Sequence, residues 1–159
     1  MTYTIYACSG LLFNHESPLR PERFVTRKII NTACRIVRGS NEKLILGNTA
    51  IKRDWGWAPE YVAAMWLMLQ QEKAEDFVVA TGKTYALHEF VAEVFKSLNL
   101  KCEEHVITQS DFYRPSDIDI SVANPSKAER ILGWKALYSM PDIVKMMIEA
   151  ECNEHKISI

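Results

Sequence analysis

Residues 2–18 read TYTIYACSGLLFNHESP. β-Branched and aromatic residues dominate the first twelve positions, with apolar runs on both sides of Ser9-Gly10. The run stops at the polar cluster Asn14-His15-Glu16-Ser17-Pro18. A short apolar run bounded by turn-forming residues predicts a buried strand that delivers a loop. In open α/β sheets, ligands lie beyond the carboxyl ends of strands. The cluster, with Arg20 beside it, therefore stands where a binding loop belongs, although a solvated turn has the same composition.

Outward from this strand the pattern alternates. A helical stretch from Glu22 to Arg38 stops at Gly39-Ser40-Asn41, and KLIL (43–46) follows as a short strand. Gly47-Asn48 turns the chain into an extended piece over Lys52–Trp55. Between Pro59 and Gln71, Val62, Met65, Trp66 and Leu69 recur at helical spacing, with the proline suited to a first turn. DFVVAT (76–81) reads as a strand. Leu87, Phe90, Val91, Val94, Phe95 and Leu98 then form an amphipathic stripe that Asn99 ends. EEHVIT (103–108) reads as a strand and DFYRPSDIDI (111–120) as a loop with a short extended end. Asn124 caps a helix that has Pro125 at its first position and Gly133 at its stop. A last helix spans Pro141–Cys152, with Ile143, Val144, Met147 and Ile148 inward. Strands alternating with helices predict an α/β fold with some mixed-sheet character.

Composition bounds the function. Scaling laws give a chain of this mass about 26,000 Å² of surface unfolded and about 8,000 Å² folded, enough to bury a core. Lysine and arginine number 19 against 20 acids, so a non-specific nucleic-acid binder is not expected. No apolar run approaches the length of a membrane span, and MTYTIYACSG lacks the pattern of a secretory leader. Cysteines at 8, 34, 102 and 152 show no metal or redox spacing and fit a reducing, cytoplasmic setting. His15-Glu16 and His88-Glu89 have no second histidine to complete a zinc motif, so no metal site is expected.

Two further clusters carry possible chemistry. Lys52-Arg53-Asp54-Trp55-Gly56-Trp57 packs two cations, an acid and two tryptophans together. It suits phosphate binding or base stacking, and equally an ordinary surface ion pair beside aromatic packing. Tyr113-Arg114-Pro115-Ser116-Asp117 holds an arginine that either grips a phosphate or pairs with Asp117.

These stretches, in order, resemble the GDP-mannose 4,6-dehydratase family of the extended short-chain dehydrogenase/reductases. FNHESP, FVTRKI, LGN, KRDWG, YVAAMWLMLQQ, DFVVATG, RPSDID and NPSKAERILGW carry the likeness from about residue 3 to residue 148. The family's G-x-x-G-x-x-G turn and its Y-x-x-x-K acid/base pair have no counterpart here: none of Tyr3, Tyr6, Tyr61, Tyr85, Tyr113 and Tyr138 has a lysine four residues on. The resemblance therefore implies a C-terminal substrate-binding lobe, with the N-terminal Rossmann half largely absent and no catalytic residue present. Residues 1–159 would form one partial domain, 1–14 a residual sheet strand and 15–159 the nucleotide-sugar-binding lobe.

Carried over residue by residue, the resemblance implies NADP contacts at His15 and Arg20. It implies GDP-mannose contacts at Asn14, Lys28, Arg53, Arg114 and Asp117. Lys28, Arg53 and Arg114 are the cations a diphosphate requires. Asp117 stands where the family often has glutamate, and Leu19-Arg20-Pro21 where it usually has two arginines and a glycine. The implied activity is a lyase reaction, GDP-mannose to GDP-4-keto-6-deoxymannose on the way to GDP-fucose, with this chain inactive alone. A homo-oligomer, or the N-terminal half in trans, would be its protein partner, without nucleic acid or membrane. Two rival readings are another nucleotide-sugar dehydratase, epimerase or reductase, and a non-catalytic nucleotide-sugar-binding module.

Overall fold

Short strands and helices alternate along the chain in the computed structural model, which describes residues 5–113 and 118–155. Strand β1 (Gly10–Leu12) is followed after one residue by β2 (Asn14–Glu16), and then by helix α1 (Val25–Val37). Next come β3 (Leu44–Leu46), β4 (Lys52–Arg53), β5 (Trp55–Trp57) and α2 (Ala58–Met68). The second half runs β6 (Phe77–Val79), β7 (Tyr85–Ala86), α3 (Leu87–Ser97), α4 (Cys102–His105) and β8 (Val106–Thr108). A 3-10 turn at Ser110–Phe112 precedes α5 (Ser126–Leu132) and α6 (Met140–His155).

The strands pair two by two. β1 lies parallel to β6, β2 to β5 and β3 to β8, whereas β4 runs antiparallel to β7. Parallel partners need long crossovers, and the intervening helices supply them. The α/β expectation with mixed-sheet character is met.

Helices α1, α3 and α6 build the larger core: Ile29, Ile30, Phe90, Val94, Phe95, Ile143, Val144 and Met147 have no exposed surface. Each such side chain contributes roughly 1.5–3 kcal/mol on burial. The stripes expected on α3 and α6 are the buried ones. Arg27 of α1 pairs with Glu151 of α6 at 2.8 Å, both buried. Beside them the thiols of Cys34 and Cys152 are hydrogen-bonded, and burial pushes Cys34 up to about 12. A second core joins Tyr61, Ala64 and Met68 of α2 to Phe77, Val79, Ala128, Leu132 and Trp134. Trp134 Nε1 donates to the Glu60 carbonyl at 3.0 Å and locks the two segments together.

Five expectations need correction. The first strand is not buried: Ile5 to Ser9 form no strand, Leu11 is 54% exposed, and among the described residues β1 has a neighbour only in β6. Asn14-His15-Glu16 is itself a strand, because β5 offers its backbone a partner. Only Val106–Thr108 of EEHVIT is extended, since Cys102–His105 closes a helical turn in front of it. On α2 the stripe Val62, Trp66 and Leu69 faces solvent, while Tyr61, Ala64 and Met68 face inward. The stops hold, with Asn99 and Gly133 both left-handed at φ 54° and 64°. The start of α5 differs from expectation by one residue: Pro125, not Asn124, takes the cap position, and Asn124 Oδ1 accepts from Ser126 N at 3.1 Å in a turn before the helix. No helix among the described residues is long and apolar enough to cross a membrane.

Candidate nucleotide-sugar site

Pairing of β2 with β5 brings two clusters distant in sequence into register. Asn14 lies opposite Trp55, His15 opposite Gly56 and Glu16 opposite Trp57. The contact is close: a Cβ on Gly56 would fall 2.6 Å from Cζ of the buried Tyr61 ring, so glycine is required there. The ring of His15 rests on Tyr61, centroids 4.9 Å apart, and its Nδ1 lies 2.9 Å from the Phe13 carbonyl. A carbonyl oxygen only accepts, so Nδ1 carries the proton of this contact. Burial, with the charges of Asp54 and Glu60, drives the Tyr61 phenol well above its ordinary value.

Glu16 anchors the loop that follows. Fully buried, it accepts from Arg20 Nη1 and from Thr26 Oγ1, each at 2.7 Å. Burial nevertheless raises its carboxyl, against the opposing pull of Arg20 and Thr26. Arg20 also donates to the His15 carbonyl at 2.7 Å, and its guanidinium lies 4.0 Å over the Phe24 ring.

Two clefts meet at this arginine. The first, about 340 Å³, is lined by Asn14, Lys28 and Arg53 together with Arg20, Arg23, Gly47, Asn48 and Phe112. The second, about 540 Å³, is lined by His15, Ser17 and Leu19; Asn14, Arg20 and Phe24 border both. Lys28 Nζ is steadied by the Ile45 carbonyl at 2.7 Å. Arg53 Nη1 is held by the carbonyls of Lys52 at 2.8 Å and Ile118 at 2.6 Å. Both cations are half-buried, and among the described residues no carboxylate forms an ion pair with either.

Arg53 does not pair with Asp54. That carboxylate is turned inward, fully buried, and accepts from Thr81 N, Thr81 Oγ1 and Gly82 N at 2.8–3.0 Å. The surface ion-pair reading of Lys52–Trp57 is thereby removed for this acid. Among the residues expected at the site, Asn14, Lys28 and Arg53 share the first cleft, His15 lies on the second, and Arg20 lies between them. Arg114 and Asp117 fall outside the described residues. Gly47, Asn48 and Phe112 escaped the reading by residue type; LGN signalled only a turn and Phe112 only a loop. No group of three or more histidines, cysteines or acids able to hold a metal occurs among the described residues.

Comparison with solved structures places this fold. RMD of Pseudomonas aeruginosa, complexed with NADPH, superposes with a TM-score of 0.82 at 15% identity, over 91% of this chain and 48% of that one. The dTDP-glucose 4,6-dehydratase of Bacillus anthracis, in complex with NAD, gives 0.79 at 13% identity, over 92% and 45%. The architecture is therefore a partial fold of the extended short-chain dehydrogenase/reductases. Sequence comparison is more specific. The family model described as GDP-mannose 4,6 dehydratase matches residues 1–147. GDP-mannose 4,6 dehydratase of Dictyostelium discoideum is 45% identical over 92% of this chain and 46% of its own length. For GDP-mannose 4,6 dehydratase 1 of Arabidopsis thaliana the figures are 47%, 94% and 41%, and for the human protein 39%, 94% and 45%. The chain belongs to the GDP-mannose 4,6-dehydratase family, and it spans under half the length of these relatives.

Proposed function

We propose that this chain is the GDP-mannose-binding half of a GDP-mannose 4,6-dehydratase. The observation that carries the reading is the charge of the first cleft. Arg20, Arg23, Lys28 and Arg53 line it, and its one carboxylate among the described lining residues, Glu16, is occupied by Arg20 and Thr26. Cations with spare donors are what a diphosphate of about two negative charges needs. Asn14 adds a polar edge, and Arg114 and Asp117 are proposed to complete the contact.

The second cleft fits one wall of a nicotinamide dinucleotide, which we propose to be NADP. Its observation is Arg20, whose Nε is buried without a hydrogen-bond partner; a buried donor of this kind is costly unless an acceptor reaches it. Bound there, the nicotinamide would supply the hydride acceptor and donor of the lyase reaction. This chain would supply His15 and Arg20 as holding groups and Lys28 and Arg53 as anchors of the substrate. The acid/base pair would belong to a nucleotide-binding half outside these 159 residues, so the chain alone would release no 4-keto sugar. That half, in the same polypeptide or in trans, or a second copy, is proposed to cover β1 and the exposed face of α2. A cytoplasmic setting suits a chain with four free cysteines.

Calorimetric titration with GDP, UDP and dTDP at low ionic strength tests the reading. GDP should bind most tightly, and Arg53→Ala should weaken it by about ten- to a hundredfold, the worth of one charge-assisted contact. Arg53→Lys should recover part of the loss, because the charge returns without the planar fork. Unchanged GDP affinity in Arg53→Ala would reject the assignment. Preference for UDP or dTDP would favour a different nucleotide-sugar enzyme.

A further inference from the structure

We infer that Phe112 is the face on which the nucleobase stacks. The inference rests on the diphosphate reading of the first cleft and deepens it. Three aromatic side chains line that cleft, and two are already engaged. Trp55 is 2% exposed and packs on Phe90 with centroids 5.3 Å apart. Phe24 lies under the guanidinium of Arg20 at 4.0 Å. Phe112 is 56% exposed and has no ring or cation partner among the described residues.

Its position is nonetheless set, and set by backbone. The 3-10 turn Ser110–Phe112 continues directly from the β3–β8 pair. Gln109 N donates to the Leu46 carbonyl at 2.9 Å, and Phe112 N to the Gln109 carbonyl at 3.3 Å. Gly47 allows the turn to close on the end of β3, since a Cβ there would come within 2.8 Å of the Phe112 carbonyl carbon. The main chain of Phe112 is thus seated against β3, and the residue, more than half exposed, lines the same cleft as Lys28 and Arg53.

A nucleoside diphosphate sugar presents three chemistries: an anionic diphosphate, hydroxyl-rich sugars and one flat π face. The cations suit the first. An open aromatic ring on a fixed turn suits the third, because every base offers a π face and stacking needs no hydrogen-bond code. A purine overlaps such a ring more fully than a pyrimidine does, so Phe112 also contributes to choice among nucleotides.

The experiment titrates the whole chain with GDP and with inorganic pyrophosphate, in the parent and in Phe112→Ala, Phe112→Leu and Phe112→Tyr. Base stacking removed by an alanine substitution costs roughly five- to 150-fold in affinity. GDP should therefore bind the parent more tightly than pyrophosphate does. Phe112→Ala should lose at least about fivefold for GDP and nothing for pyrophosphate. Phe112→Tyr should keep parental GDP affinity, and Phe112→Leu, which restores apolar bulk without the π face, should not. Equal GDP affinity in the parent and Phe112→Ala would overturn the inference while leaving the diphosphate site standing. So would an equal loss for both ligands, which would mean that the turn, not the ring, matters. A parent that binds neither GDP nor pyrophosphate would overturn the diphosphate reading itself, and this inference with it.

Discussion

Asp54→Ala should be among the more damaging single changes in this chain, although the residue sits in a run of polar surface-like sequence. Its carboxylate has no exposed surface and accepts three hydrogen bonds, from Thr81 N at 3.0 Å, Thr81 Oγ1 at 2.8 Å and Gly82 N at 2.8 Å. These bonds close the turn between β6 and β7, where Gly82 is left-handed at φ 76°. Alanine removes the acceptor from two amides and a hydroxyl. The hydroxyl also reaches the Lys83 carbonyl at 3.2 Å, and the exposed Gly82 amide recovers a bond to water. The orphaned Thr81 amide costs about 1–3 kcal/mol, and exchanging the other two charge-assisted bonds for weaker neutral ones adds about 1 kcal/mol, so the loss comes to about 2–4 kcal/mol. For a domain of this size that is a fall of about 4–16 °C in melting temperature. Asp54→Asn should fall between, since its amide keeps one acceptor but turns an N–H toward Gly82 N. Thermal unfolding by far-UV circular dichroism, with urea titration for ΔG, measures the effect. A surface pair with Arg53 would instead be worth at most about 1 kcal/mol, and an Arg53/Asp54 double-mutant cycle would then show coupling. A melting temperature for Asp54→Ala within about 2 °C of the parent would refute the buried-acceptor account.

Acid sensitivity should depend on Arg35. This residue bonds Glu22 and Glu42, both at 2.8 Å, and holds both carboxyls below the usual carboxylate range. Depressed folded-state values give stability that is present above the ordinary glutamate pKa and lost as pH falls through the depressed values. Arg35→Ala should therefore flatten the acid limb of a stability–pH profile below about pH 4.5; an unchanged limb in urea melts would count against the network. On α2, Trp66→Lys should leave the melting temperature within about 2 °C, as surface changes usually do, and should lower the binding of an apolar dye to the Val62–Trp66–Leu69 face. A loss near 10 °C would show that Trp66, 61% exposed, packs against something in solution.

Legibility in the sequence followed the physics that each pattern reports. The helices α3 and α6 were readable because one face of each is apolar and the packing partner lies within the same chain: Phe90, Val94 and Phe95 meet Ile143, Val144 and Met147. The stops at Asn99 and Gly133 were readable because a left-handed residue is a local demand. On α2 the same rule misleads. Apolar residues occur all round the helix, so periodicity selects Val62, Trp66 and Leu69, while the core takes Tyr61, Ala64 and Met68. An apolar stripe reports that a face is made to be covered, not which part of the molecule covers it. In a chain under half the length of its relatives, the two questions separate.

The candidate site shows the same division between local and long-range information. Residue type and family resemblance pointed to Asn14, Lys28 and Arg53, but no spacing rule states that residues 14 and 53 border one cleft. That follows from the β2–β5 register, where Asn14 stands opposite Trp55. The register in turn is compatible only with glycine at position 56, where the Tyr61 ring leaves no room for a Cβ. Asp54 lay in the same hexapeptide as Arg53 and was open to a salt-bridge reading. Its inward turn became visible only once Thr81 and Gly82, 27 and 28 residues away, were seen to supply donors. The consequence for the cleft is electrostatic. With Asp54 committed to the β6–β7 turn and Glu16 to Arg20 and Thr26, neither of these acids is left to pair with Lys28 or Arg53. Among the described residues no other carboxylate pairs with Lys28 or Arg53, which is the condition the proposed diphosphate site needs.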